Sequence, residues 1–172
     1  MSDRIYEAFL RQQFEDGVAL ADSSDVLDLT TLDGQPPCRY IANFDGGKGL
    51  VRDQRGQIVE FEKFTVGIWF PEDYLRRVSI PQVLTYLGPH REPWHPNIRP
   101  PFLCAHIEPG TLLVDLLYAC YEIWTWNLFA TGDEGLNHAA SQWSRKQDRS
   151  RFPIDRRPLK RRSIDLRGKE VP

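Results

Sequence analysis

The sequence predicts an α+β domain: one amphipathic helix, a four-stranded antiparallel meander, a proline-rich loop and C-terminal helices. Three observations predict it. Apolar residues near the start recur with helical spacing. Between residues 38 and 87 they come in short strand-like runs broken by Gly, Pro and Asp. After Pro109-Gly110 the helical period returns.

Each element has its own signal. Asp3 to about Ala21 reads as a first helix, with Ile5, Ala8, Phe9, Gln12 and Gln13 on one face and Tyr6 and Phe14 at its edges. Asp22-Ser23-Ser24-Asp25 breaks it. Leu27 to Leu32 fits more than one state, and Asp33-Gly34-Gln35-Pro36-Pro37 reads as a turn. Cys38 to Phe44 is rich in aromatic and β-branched residues and reads as a strand ending at a turn, Asp45 to Gly49. Leu50–Arg52 and Gln57–Phe61 flank Asp53-Gln54-Arg55-Gly56 as a hairpin. Phe64 to Phe70 is a further strand stopped by Pro71, and Val83 to Leu87 another. Consecutive runs joined by short turns favour an antiparallel arrangement.

From Gly88 to Pro101 the five prolines Pro89, Pro93, Pro96, Pro100 and Pro101 exclude a regular element. An ordered loop of that length in a compact domain is commonly functional. Leu112, Leu113, Leu116, Leu117, Cys120, Ile123 and Trp124 then form a wide apolar stripe, predicting a helix near residues 111–129 that ends at Thr131 to Gly135. Asn137 is the expected N-cap of a last helix over 137–146, with Leu136, Ala140 and Trp143 on one face.

The net charge of −2 conceals a division. From Arg145 onward eleven basic and four acidic residues give +7, and the rest of the chain is −9. The expectation is a domain over 1–146 and a basic, extended or flexible tail over 147–172. Such a tail suits an acidic partner; nucleic acid is weakly signalled. No apolar run approaches the roughly 20 residues of a membrane span, and the opening residues do not read as a signal peptide, so the expected location is cytoplasmic.

Cys38, Cys104 and Cys120 are too few and too widely spaced for a disulfide framework, and no CxxC pair suggests zinc. Cys38 opens a strand and Cys120 lies in the apolar helical stripe. Cys104 alone follows the proline-rich loop. A cysteine is both a good nucleophile and a good leaving group. Asn97, on a proline-stiffened loop, is the candidate donor to an oxyanion forming near that sulfur.

The tripeptide His95-Pro96-Asn97, with Cys104 seven residues after Asn97, resembles the ubiquitin-conjugating enzyme family. Further matches follow in the family's order over roughly residues 1–145. Ile68 to Tyr74 is similar to its third strand and FPxxYP turn, and Pro81-Gln82-Val83-Leu84 to the following PxV strand. Leu112 to Leu117 is similar to the helix after the cysteine, and Asp133 to Ala140 to its DDPLNxxAA segment. Departures are a short Cys104–Pro109 segment without the tryptophan-proline pair, Leu75 after Tyr74, and Gly135 before Leu136. These resemble the divergent bacterial branch encoded beside a ubiquitin-like protein, an activating enzyme and a deconjugating protease, and linked to antiphage defence.

The resemblance implies the ubiquitin-conjugating-enzyme fold and a transferase that carries a ubiquitin-like protein as a thioester on Cys104. It implies no cofactor, since ATP is used by the partner activating enzyme, and a target protein as acceptor. His95 would brace the loop, and Asp133 and Glu134 would orient the acceptor amine. Two other readings stay open. One is an inactive scaffold that binds a ubiquitin-like protein. The other is a cysteine–histidine hydrolase, because His106 lies two residues after Cys104 and shares its side of an extended segment. Zinc held by Cys104, His106, His95 and Cys120 would lack any familiar spacing. Trp94, beside the tripeptide, would pack the loop or touch a carried protein.

Overall fold

The computed structural model describes residues 3–132 and 135–161. Helix α1 (Arg4–Asp22) starts where the Asp3 carboxylate accepts the Ile5 N–H. Its buried face is Leu10, Gln13, Gly17 and Leu20. That face is turned from the expected one: Gln13 is buried, but Ile5, Ala8 and Gln12 are exposed.

A four-stranded antiparallel meander follows in the order β1 (Leu27–Thr31), β2 (Arg39–Arg52), β3 (Ile58–Trp69) and β4 (Leu84–Gly88). The ambiguous segment after α1 is therefore a strand, pairing Leu27 with Phe44 through Thr31 with Tyr40. The expected turn at Asp45 to Gly49 is instead a bulge within one long strand, where the β2–β3 register shifts between Asp45 and Gly49. Its glycines admit a helix rather than reverse the chain. A Cβ on Gly49 would stand 2.3 Å from the Trp124 ring, and the Trp124 indole N–H donates to the Gly47 carbonyl at 2.9 Å. The short helix α2 (Ile80–Val83) occupies the residues expected to open the fourth strand, which begins at Leu84.

Helix α3 (Leu113–Trp124) buries Leu113, Leu116, Leu117, Cys120, Tyr121, Ile123 and Trp124 against β2 and α1. Tyr40, Ala42, Phe44, Phe64, Val66 and Ile68 of the sheet face into the same core. A polar contact lies inside it: the Leu113 N–H donates to the buried Gln13 side-chain oxygen at 2.7 Å. The helix stops at Trp124, well short of residue 129. Trp126 takes a left-handed backbone with φ 63°, and the Asn127 and Leu128 amides both turn back to the Glu122 carbonyl. Burial of the Trp126 ring, 1 % exposed, offsets a conformation that a non-glycine residue adopts at a cost of about 1–2 kcal/mol.

Helix α4 (His138–Arg145) begins as expected, with the Asn137 side-chain Oδ1 accepting the Ala140 N–H at 3.0 Å. Over 147–161 the chain beyond it is not a free tail; the rest of the expected tail, 162–172, lies outside the described residues. A 3-10 turn, Arg149–Arg151, leads to Phe152, which stacks on Trp126 with ring centroids 4.9 Å apart. Ile154 donates to the Thr125 carbonyl, Asp155 accepts the Lys48 N–H, and the Arg157 carbonyl accepts the Tyr121 hydroxyl. Leu159 is 2 % exposed in the core, and Arg161 reaches the carbonyls of Asp22 and Ser23 at the end of α1. Phe152, Ile154 and Leu159 stand at no regular period among the charges, so composition outweighed them in the sequence. Among the described residues no helix is long and apolar enough to cross a membrane.

Because this strap is part of the core, removing residues from Arg149 onward should lower the melting temperature substantially. Leu159→Ala should cost about 3 kcal/mol, roughly 6–12 °C in Tm for a chain of this length. Differential scanning calorimetry reads both, and an unchanged Tm for Leu159→Ala would show that the segment does not contribute to the fold.

Candidate active site

The loop from Gly88 holds its course by borrowing partners from elsewhere. Its first part adds a two-residue strand, β5 (Glu92–Pro93), to the edge of β2, and the Trp94 N–H donates to the Leu50 carbonyl at 2.8 Å. Trp94 is buried, stands edge-on to Trp143 and carries the Arg52 guanidinium 5.5 Å from its ring centroid. It packs the loop. A small hairpin, β6 (Ile98–Arg99) with β7 (Phe102–Leu103), then turns the chain toward Cys104.

From Phe102 to Glu108 burial alternates residue by residue. Leu103, Ala105 and Ile107 point inward; Phe102, Cys104, His106 and Glu108 are exposed. This alternation is legible in the sequence as Phe-Leu-Cys-Ala-His-Ile-Glu, and it is the signal that presents the Cys104 thiol to solvent. The other two cysteines differ. Burial pushes the Cys120 thiol up to about 12. Half-burial, and then the Asp33 carboxylate that accepts its S–H at 3.0 Å, pushes Cys38 up to about 11. Both stay protonated near neutral pH, and Cys104 is the exposed thiol of the three.

Asn97 stands beside Cys104 with both ends of its side chain engaged. Its Nδ2 donates to the Cys104 carbonyl at 3.0 Å, and its Oδ1 accepts the Ala130 N–H at 2.9 Å. The Cys104 N–H returns a bond to the Asn97 carbonyl at 2.9 Å. An amide nitrogen carries two hydrogens, so Nδ2 retains a second donor beyond the one given to Cys104. Asn97 thus braces the loop and still keeps one side-chain N–H uncommitted to these bonds.

His95 is fully buried against Trp126, ring centroids 4.5 Å apart, and its Nδ1 accepts the Asn97 N–H at 3.0 Å. Its Nε2 makes no hydrogen bond of good geometry. Burial pushes its pKa down to about 3, only weakly offset by the Leu128 backbone. A neutral ring is what the loop requires, because protonated Nδ1 would be a donor facing a donor. The neighbouring Pro96 carbonyl accepts the Asn137 N–H at 3.1 Å. A Cβ on Gly135 would come within 3.0 Å of that carbonyl and 2.5 Å of the Ser141 hydroxyl, which explains a glycine there.

His106 is 88 % exposed in its side chain and pairs with Glu108 at 3.2 Å. No hydrogen bond joins it to Cys104 among the described residues. The four residues weighed as zinc ligands do not form a group: His95 and Cys120 are in the interior, Cys104 and His106 at the surface. Asp133 and Glu134 lie outside the described residues. No protein-family model matches the chain, and no curated protein matches it in sequence.

The buried His95 makes a pH prediction. Between the ordinary histidine value near 6.5 and about 3, the unfolded chain binds a proton that the folded chain refuses. The stability from burying the neutral ring is complete above about 6.5 and is lost as pH falls toward 3. From pH 7 to pH 5 the wild type should lose about 2 kcal/mol more than His95→Gln in urea denaturation. Equal losses would show that His95 is not held neutral by the fold.

Proposed function

We propose that the protein is a ubiquitin-conjugating-type transferase that carries a ubiquitin-like protein as a thioester on Cys104. The observation that carries this reading is the pairing of the exposed Cys104 thiol with an Asn97 amide locked onto the Cys104 carbonyl. The Cys104 thiolate attacks the thioester carbonyl at the C-terminus of the ubiquitin-like protein held by an activating enzyme. The activating enzyme's thiol leaves. An acceptor amine of a target then attacks the new thioester, and the Cys104 thiolate leaves in turn. In each step the carbonyl oxygen passes through an oxyanion, and the remaining N–H of Asn97 is the donor for it. ATP is consumed by the activating enzyme. The motif's likeness to the bacterial branch supports a cytoplasmic antiphage conjugation pathway with its own deconjugating protease.

A second reading has one observation in its favour. Cys104, His106 and Glu108 lie on the same exposed side of one extended segment, and Glu108 holds His106 as a third group would in a hydrolase. The missing Cys104–His106 hydrogen bond weighs against it. A scaffold role would need neither a free thiol nor the Asn97 donor.

The readings separate on a non-reducing gel after incubation with activating enzyme, ubiquitin-like protein and ATP. Wild type should form an adduct that thiol reductants cleave. Cys104→Ala should form none while keeping its fold, and Cys104→Ser should form an oxyester that survives reductant and yields to base. Cys38→Ser and Cys120→Ala should still load. A reducible adduct on Cys104→Ala would refute the assignment, and hydrolysis of a peptide substrate lost in His106→Ala would favour the hydrolase.

Asn97→Ala should slow discharge from Cys104 to a free amine by about a hundred-fold. It should also weaken the fold locally, because the Ala130 amide loses its acceptor. Normal single-turnover discharge would remove Asn97 from the reaction.

A further inference from the structure

Behind the loop that ends α3 lies a cavity of about 540 Å³, in the size range of a ligand-binding pocket. Its floor is aromatic: Phe129 and Phe152, with ring centroids 5.1 Å apart. Arg145 and Arg149 stand on its wall, with Ser144 and Gln147 supplying polar groups. Arg145 donates to the Gly132 carbonyl at 3.2 Å and so is oriented by the loop it faces. Beside the cavity Arg151 is held over the Trp143 ring at 4.9 Å and by the Gln147 oxygen at 2.7 Å. Among the described residues the lining contains no carboxylate.

We propose that this cavity is a docking site for an acidic peptide segment of a partner protein, with one aromatic or large apolar side chain entering the floor. The floor calls for an apolar group, because two phenyl rings are open to a concave space. The exposed Arg149 on the wall calls for a carboxylate, which an arginine takes as forked hydrogen bonds. The charge of the segment agrees. Residues 145–161, which give Arg145, Gln147, Arg149 and Phe152 to the lining, hold eight basic and two acidic side chains, so the field here draws an acidic partner and repels a basic one.

The position has a consequence for the site. Phe129 and Thr131 both line the cavity, and the residue between them, Ala130, gives its N–H to the Asn97 side chain. An occupant presses on both neighbours of that bond. Its effect on transfer rests on the conjugating reading; the docking does not.

Isothermal titration calorimetry on the full chain tests the docking without any activating enzyme. The probe is a heptapeptide of aspartates and glutamates around a central phenylalanine. It should bind saturably, and Arg149→Glu should weaken it by about tenfold or more. Arg149 is exposed on the 3-10 turn, so that change leaves the core intact. Arg55→Glu, on the β2–β3 turn, should bind as wild type. Replacing the central phenylalanine by serine, or the acids by lysine, should abolish binding. The proposal is overturned by no saturable binding, by equal binding of the serine peptide, or by wild-type affinity in Arg149→Glu. A single-stranded oligonucleotide that binds more tightly, and is equally weakened by Arg149→Glu, would overturn it in favour of nucleic acid.

Discussion

The Asn97 side chain joins the two ends of the β6–β7 hairpin to the loop after α3, with which they share no ladder. Its loop makes only two-residue ladders, because its prolines remove donors, and buried polar groups left without partners are costly. The amide answers both needs at once, as donor to the Cys104 carbonyl and acceptor of the Ala130 N–H. The Pro96 carbonyl extends the connection to the start of α4 through Asn137, and Trp94 extends it to β2 through Leu50. The cysteine is thereby held against the scaffold by bonds on both sides of it, although its own segment belongs to no extended sheet.

Those bonds hold only if the ground behind them is firm and dry. Trp94, Trp126, Leu50 and Ala140 form a second core beside the main one, filled out by Phe129, Trp143, Phe152 and Ile154. His95 sits on Trp126 at its edge. Desolvation there keeps the imidazole neutral, and neutrality keeps Nδ1 an acceptor for the Asn97 amide. Packing thus decides a protonation state, and the protonation state decides a loop geometry.

The C-terminal strap supplies the remaining closure. It runs from the aromatic cluster across Thr125 and Lys48 to the end of α1, where the Arg161 guanidinium donates to the Asp22 carbonyl and its backbone N–H to that of Ser23. Cations at a helix C-terminus interact favourably with its unpaired carbonyls. A segment rich in arginine is held here by three apolar side chains and a handful of backbone bonds, and its remaining charge faces outward. This is why residues 145–152 form part of a cavity wall rather than hanging free of the body.

The sequence by itself determined the broad order of a helix, antiparallel strands and then helices, since periods of 3.6 and 2 are local properties of a chain that must bury one face. It marked Asn137 as a cap and, through the proline-rich loop before it, Cys104 as the thiol outside the core, because capping and proline act over a few residues. Tertiary structure decided what depends on distant partners. The glycines at 45–49 read as a turn until Trp124 needs room beside them, when they become a bulge in β2. The sequence predicts a helix running to about residue 129, yet the Trp126 ring packs between His95 and Phe152 with a left-handed backbone, and α3 ends early. Phe152 and Leu159 are isolated apolar residues in a charged run until two pre-existing cores receive them. Asn97 shows both sides: its place in a motif is visible in the chain, but the partner at Ala130, thirty-three residues away, exists only once the fold has closed.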